Sequence, residues 1–272
     1  MVKRYAVIGN PIEHSLSPAM HNAAFKELGV DATYDALEVK ELGKAYPILK
    51  KKYAGINVTI PHKVGILDYV DEKEMAVDLI GAANCVSFSD AARAYNTDVT
   101  GAIDALKTQV PKLKKKRVLV LGAGGAARAI VYGCVLEGAE VTLHNRTTEK
   151  AAELAKDVKS KLSKDVAIAQ EIVLDGFDVL VNSTSVGMSP DSNKTPVTSP
   201  IPSNAKGRLV IMDIVYNPLE TRLLKDAHSV GCKTINGMEM FVLQGAESLR
   251  VWGYDPPVEV MRETVLKELR KK

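Results

Sequence analysis

Gly122, Gly124 and Ala127 occupy the three small-residue positions of a G-x-G-x-x-A pattern that begins directly after the apolar run Val118-Leu119-Val120-Leu121. In that setting each small residue has a physical use. The first glycine allows a tight turn, the second lets the backbone approach a pyrophosphate, and the third position lets the next helix sit close to the strand. The helix start then presents backbone N–H groups to phosphates. A second set of chemical side chains lies upstream, in Ser15-Leu16-Ser17, Asn57-Val58-Thr59-Ile60-Pro61-His62-Lys63, Asn84 and Asn96-Thr97-Asp98. Such polar clusters are unusual in segments that follow buried strands, which makes them candidates for ligand contact.

The strand after the glycine loop ends in His144-Asn145-Arg146-Thr147. A carboxylate there would bond the ribose 2′-hydroxyl of NAD and repel a 2′-phosphate. Asn145 carries no such charge, and Arg146 and Lys150 are able to pair with phosphate oxygens, so the expected cofactor is NADP. No metal site is expected. His14, His21, His62 and His228 lack metal-ligand spacing, and Cys85, Cys134 and Cys232 form no CxxC pair.

The elements that must carry these residues follow from apolar patterning. Short apolar runs at Tyr5 to Ile8, Tyr34 to Val39 and Ile56 to Ile60 alternate with helical stretches, the first from Pro18 to Leu28 behind Ser17 as N-cap. Cys85 to Phe88 and Arg93 to Asn96, joined by Ser89-Asp90-Ala91-Ala92, predict a hairpin that closes this region. Farther on, Val118 to Leu121, Glu140 to His144, Val166 to Ala169, Val179 to Val181 and Leu209 to Val215 predict a parallel sheet covered on both faces. In the helix after the glycine loop, Ile130, Val131, Cys134 and Val135 form the apolar face. After Gly237 the pattern is helical to the end, with Val258, Met261, Val265 and Leu269 on one stripe of the last helix. The fold class is therefore α/β, and 272 residues suffice for two domains with a cleft between them.

Taken in order, these motifs resemble the shikimate dehydrogenases. The likeness is carried by Gly9-Asn10-Pro11, Ser15-Leu16-Ser17-Pro18, Asn57 to Lys63, Gly81-Ala82-Ala83-Asn84 and Asn96-Thr97-Asp98. It continues through Asn182-Ser183-Thr184-Ser185-Val186-Gly187-Met188 to Gly237, Met240 and Gln244. The resemblance implies an N-terminal α/β substrate domain at residues 1–101, completed by 237–272, and a Rossmann-type NADP-binding domain at 102–236. It implies reversible, NADPH-dependent reduction of 3-dehydroshikimate to shikimate, on the route to aromatic amino acids.

Reducing a ketone needs a hydride donor on one face and a proton donor at the oxygen; the cofactor meets the first need, and Lys63 and Asp98 are the candidates for the second. Desolvation and a neighbouring carboxylate act in opposite directions on a lysine ammonium, so Asp98 serves equally well as an orienting group that bonds a substrate hydroxyl. The resemblance assigns Ser15 and Ser17 to the substrate carboxylate, with Thr59, Asn84, Asp98, Gln244 and Tyr216 as further substrate contacts. Gly122, Ala123, Gly124, Gly125, Ala126, Asn145, Arg146, Thr147 and Lys150 would hold the cofactor, with Thr184, Ile214 and Gly237 on its nicotinamide side. Taken singly, Ser17 reads as an N-cap, Asn84 as a turn residue, Tyr216 as a half-buried aromatic and Gln244 as a solvated helix position; the shared order outweighs those readings. The chain departs from the family pattern at Val99, where glycine commonly follows the aspartate, and in Met238-Glu239-Met240. A quinate dehydrogenase would share Lys63 and Asp98 but often use NAD, which Arg146 disfavours. A nucleotide-sensing protein without catalysis would have no use for the pair.

Composition adds exclusions. With 46% hydrophobic and 25% charged residues the chain is an ordinary globular one, and a net charge of +3 implies neither nucleic acid nor membrane as partner. The basic run Lys112 to Arg117 reads as solvated surface. Three scattered cysteines and an N-terminal apolar run too short for a signal core suit the cytoplasm. A monomer and a homodimer both fit.

Overall fold

The computed structural model describes residues 2–271; Met1 and Lys272, the end positions of the expected domain ranges, lie outside them. Two compact units result, Met1–Gly101 with Val242–Lys272, and Ala102–Phe241. The second boundary falls inside the helix Gly237–Val251.

In the first unit the order is β1 (Lys3–Gly9), α1 (Ser17–Glu27), β2 (Ala32–Glu38), α2 (Leu42–Lys52), β3 (Gly55–Val58), β4 (Glu72–Lys73), α3 (Met75–Ile80), β5 (Cys85–Phe88), β6 (Ala92–Tyr95) and the start of α4 (Thr97–Lys107). The strands pair as β2-β1-β3-β5-β6-β4. β1 is parallel to β2 and β3, whereas β5 is antiparallel to β3 and β6. The run Tyr5 to Gly9 is buried throughout because both faces of β1 are covered. On one face Ala6 and Ile8 join Leu42, Tyr46 and Leu49 of α2; on the other, Tyr5 meets Phe25 of α1 at 5.4 Å between ring centroids.

The second unit runs β7 (Arg117–Leu121), α5 (Gly125–Leu136), β8 (Glu140–His144), α6 (Thr148–Leu162), β9 (Ala167–Ile168), β10 (Val179–Asn182), β11 (Val210–Asp213), α7 (Arg222–Ser229) and β12 (Lys233–Ile235). All its strand pairs are parallel, in the order β12-β11-β10-β7-β8-β9. This is the doubly wound Rossmann order, whose ligand crevice lies beyond the carboxyl ends of the strands where the winding reverses. Here the reversal is at β7 and β10. The chain ends with α8 (Gly237–Val251) and α9 (Val258–Leu269); α9 packs on α1 of the first unit through buried Met261 and Val265.

Several expected boundaries are corrected. Helix α1 starts at Ser17, not after it: Leu16 is the N-cap, and the hydroxyl that meets the helix start belongs to Ser15, which accepts from Ser17 N at 3.3 Å. The run Ile56 to Ile60 leaves the sheet after Val58, because the chain turns there with His62 N donating to Thr59 O at 2.8 Å. Leu209 to Val215 shortens to β11 because the Asp213 side chain accepts from Val215 N at 3.1 Å and bends the backbone out of the ladder. In the hairpin, Ala92 pairs with Phe88 and Asn96 lies past the strand end, its side chain donating to Ala82 O at 2.9 Å. The short strands β4 and β12 carry no apolar alternation that would announce them.

Candidate active site

In the first unit, residues distant in the chain converge just past the ends of β3 and β6. Lys63 lies in the turn after β3, and its carbonyl accepts from Ala83 N at 2.8 Å, which fixes that turn beside Asn84. Asp98 sits in the first turn of α4, where the helix dipole favours a negative charge. The Lys63 Nζ donates to Asp98 Oδ2 at 2.5 Å, with the two side chains 20% and 8% exposed, so the pair is largely desolvated yet still reached by solvent. The other carboxylate oxygen, Oδ1, accepts from Asn84 Nδ2 at 2.9 Å. Asn84 also donates to Thr97 Oγ1 at 2.9 Å and lies 3.5 Å from Gln244 Oε1. Its own Oδ1 accepts from Thr97 N at 2.7 Å, so the amide orientation is set by a donor that cannot reverse.

Lys63, Asp98, Asn84 and Gln244 are thus one hydrogen-bonded group. Gln244 reaches it because α8 crosses α4 at Gly101, where an added Cβ would fall 2.8 Å from Gln244 N; only glycine permits that approach. Asn57, read only as part of the polar cluster Asn57 to Lys63, and Ser248, not singled out in the sequence, brace the group from behind. Asn57 Nδ2 donates to Ser248 Oγ at 2.8 Å and to Asn84 O at 3.0 Å, while Tyr34 Oη donates to Asn57 Oδ1 at 2.7 Å. The signal for Asn57 was its place in an otherwise apolar strand; Ser248 offered none. Ser15 and Ser17 meet each other at the start of α1, Ser15 half-buried and Ser17 buried. Thr59 is half-buried at the head of the Lys63 turn. His62 is spoken for, its Nε2 donating to Val39 O at 2.6 Å.

In the second unit the glycine loop follows β7. Gly122 takes a φ of +112°, which L side chains rarely adopt, and an added Cβ there would fall 2.6 Å from Ser183 Oγ. Gly124 is the N-cap of α5, is exposed, and a Cβ added to it would meet no atom within 4 Å. An open, side-chain-free backbone ahead of a 12-residue helix, whose first-turn amides have no carbonyl partner one turn earlier in the helix, is a cradle that suits a dinucleotide pyrophosphate. Ala127, by contrast, is fully buried under the strand. Ala123, Gly125 and Ala126 are half-buried around the loop, and Thr184 lines it, 3.2 Å from the Cβ position of Gly122.

At the end of β8, Asn145 Nδ2 donates to Thr147 O at 2.7 Å, and Arg146, Thr147 and Lys150 are exposed. His144 is a structural residue whose Nδ1 donates to Ala169 O at 3.1 Å. Past β11, Ile214 is held against buried Gly237, where a Cβ would fall 2.3 Å from Ile214 O. Tyr216 stacks on Phe241 at 4.8 Å, and desolvation raises its phenol above the ordinary range.

A doubly wound dinucleotide-binding unit combined with a unit that gathers a lysine, an aspartate and two amides is the architecture of a two-unit α/β nucleotide-dependent enzyme. The family is set by comparison. A family model described as shikimate dehydrogenase substrate binding domain matches residues 7–86, and one described as shikimate / quinate 5-dehydrogenase matches residues 104–228. The shikimate dehydrogenase (NADP(+)) of Methanocaldococcus jannaschii is 40% identical over 279 residues, covering 99% of this chain and 98% of that protein. A crystal structure of a shikimate dehydrogenase in complex with NADP+ superposes with a TM-score of 0.93 at 39% identity, covering 98% of this chain and 96% of the other. That of Thermus thermophilus, in complex with NADP(H) and shikimate, gives 0.88 at 33% identity, with 98% and 99% covered. The chain belongs to the shikimate dehydrogenase family.

Proposed function

We propose that the protein catalyses the reversible, NADPH-dependent reduction of 3-dehydroshikimate to shikimate, in the biosynthesis of aromatic amino acids. The observation that carries this reading is the Lys63–Asp98 pair at 2.5 Å, held by Asn84 beside Gln244 in a chain whose relatives are named for that reaction. Bound NADPH would supply a hydride to the ketone carbon. In the reduction, Lys63 gives the ketone oxygen a proton from Nζ, and in the oxidation Nζ takes it back. Asp98 orients that ammonium and accepts a hydrogen bond from a ring hydroxyl. Asn84, Gln244, Thr59 and Tyr216 bond the remaining substrate oxygens, and the Ser15 and Ser17 hydroxyls bind its carboxylate.

In the second unit, Gly122 to Ala126 would hold the pyrophosphate. Asn145, Arg146, Thr147 and Lys150 would take the adenosine and its 2′-phosphate, with Thr184, Ile214 and Gly237 along the nicotinamide. The exposed positions of Arg146 and Lys150, with Asn145 in place of a carboxylate directly after β8, support NADP over NAD. Three free cysteines, all buried, suit the reducing cytoplasm. Among the described residues no helix is long and apolar enough to cross a membrane. Purified protein mixed with shikimate and NADP+ is expected to produce the absorbance of reduced nicotinamide; protein that binds shikimate and produces none contradicts the reading.

A further inference from the structure

Asp213 ends β11 after Val210-Ile211-Met212 and is fully buried. A carboxylate taken out of water is costly unless hydrogen bonds replace its solvation. Three neutral donors do so. Val215 N and Asn182 Nδ2 donate to Oδ1 at 3.1 and 2.9 Å, and Thr221 Oγ1 donates to Oδ2 at 2.7 Å. The direction of each bond is fixed independently. A backbone N–H only donates. Asn182 uses its Oδ1 to accept from Thr184 N at 3.0 Å and Thr184 Oγ1 at 2.7 Å, which leaves its NH2 facing Asp213. Thr221 Oγ1 accepts from Leu224 N at 3.4 Å as the N-cap of α7, so its proton points to the carboxylate. Desolvation pushes the Asp213 carboxyl up to about 6, against the lowering effect of these three donors.

Each donor anchors a different segment. Asn182 sets the backbone and hydroxyl of Thr184; Val215 lies between Ile214 and Tyr216; Thr221 closes the connection into α7. We infer that Asp213 is a positioning residue of the reaction: its carboxylate ties the loop after β10 to the loop after β11 and so holds Thr184 and Ile214 in the single arrangement that aligns the nicotinamide. The inference rests on the reading of Thr184 and Ile214 as nicotinamide contacts.

The test compares Asp213→Asn, Thr221→Val and Thr221→Ser with the unaltered protein. Binding is measured for NADPH and for adenosine 2′,5′-bisphosphate, which carries the 2′-phosphate but no nicotinamide. Turnover is measured with NADPH and with NADPH deuterated at the transferred position. Misalignment of reacting groups costs between about 10- and 100-fold in rate. Asp213→Asn is expected to lose turnover in that range, to show a larger deuterium isotope effect, and to bind the bisphosphate as the unaltered protein does. Thr221→Val should follow in weaker form and Thr221→Ser should recover. Unchanged turnover in Asp213→Asn, or bisphosphate binding lost in parallel with turnover, overturns the inference. If Asp213→Asn does not fold, Thr221→Val decides by the same criteria. Failure of the functional reading looks different: the unaltered protein would not turn over shikimate, while the advantage of NADPH over the bisphosphate in binding would still fall in the Asp213 variant.

Discussion

Each unit buries a carboxylate near the carboxyl end of its sheet and handles it in an opposite way. Asp98 of the first unit is paired with a lysine whose side chain keeps 20% of its exposure, and its second oxygen is held by an amide. Asp213 of the second unit is sealed and meets three neutral donors drawn from the backbone and from two side chains. A charge with a flexible cationic partner near solvent can exchange a proton with a bound molecule. A charge enclosed by fixed dipoles is out of reach of a bound molecule and instead shapes the loops that donate to it. The first arrangement suits chemistry and the second suits alignment.

The largest expected effect lies in the first unit. Lys63→Ala should lower kcat by roughly 10²–10⁴, the usual contribution of a positioned acid–base group, while shikimate affinity measured by calorimetry changes far less. The contrast between the units breaks if Lys63→Ala instead keeps its turnover and loses substrate affinity. A smaller effect belongs to the exposed cofactor edge. A hydrogen bond to a charged group contributes about 1.5–3 kcal/mol, and exposure at Arg146 argues for the low end, so Arg146→Ala should raise KM for NADP+ by about tenfold. KM for NAD+ should hardly move; equal effects on both cofactors would separate Arg146 from the 2′-phosphate.

The smallest effect is on stability against pH, and its sign differs between the units. Buried His21, stacked on Tyr34 at 4.2 Å, is pushed down to about 4 by desolvation, against the hydrogen bond its Nδ1 donates to Ser17 O. Between about 4 and the ordinary 6.5, the unfolded chain holds a proton that folded His21 lacks, so this group makes stability fall as pH falls. Asp213 acts in reverse. Between the ordinary 3.8 and about 6 the folded chain holds the extra proton, so its contribution falls as pH rises. Each amounts to roughly 3 kcal/mol when fully developed, and in the unaltered protein they oppose. Thermal melts of Asp213→Asn should therefore show a steeper loss on acidification from pH 6.5 to 4 than the unaltered protein, and His21→Phe a shallower one. Parallel slopes in all three would remove the opposition.

How much of this was legible depended on the range of each cause. The glycine loop was readable because the needs of Gly122, Gly124 and Ala127 are met within a few residues of each: a turn, an open backbone and a close helix contact. The doubly wound sheet was readable because strands buried on both faces must carry continuous apolar runs, as Val118 to Leu121 of β7 and Val179 to Val181 of β10 do. Strand ends were not. Asp213 and Thr59 turn the backbone through bonds that apolar patterning does not register, so two strands were read too long. Convergence was also hidden. Lys63 and Asp98 are 35 positions apart and Asn84 and Gln244 160 apart, and the glycine that lets α8 reach α4 looks like any other inside a helix. Only the order of motifs shared with a family joined those residues before the structure did. Ser248 and Asn182 stayed unremarked in function because their partners lie on other elements.

The most direct measurement is kcat/KM for shikimate and for quinate, each with NADP+ and with NAD+, on the unaltered protein. The highest value is expected for shikimate with NADP+. Preference for quinate with NAD+ would contradict the account.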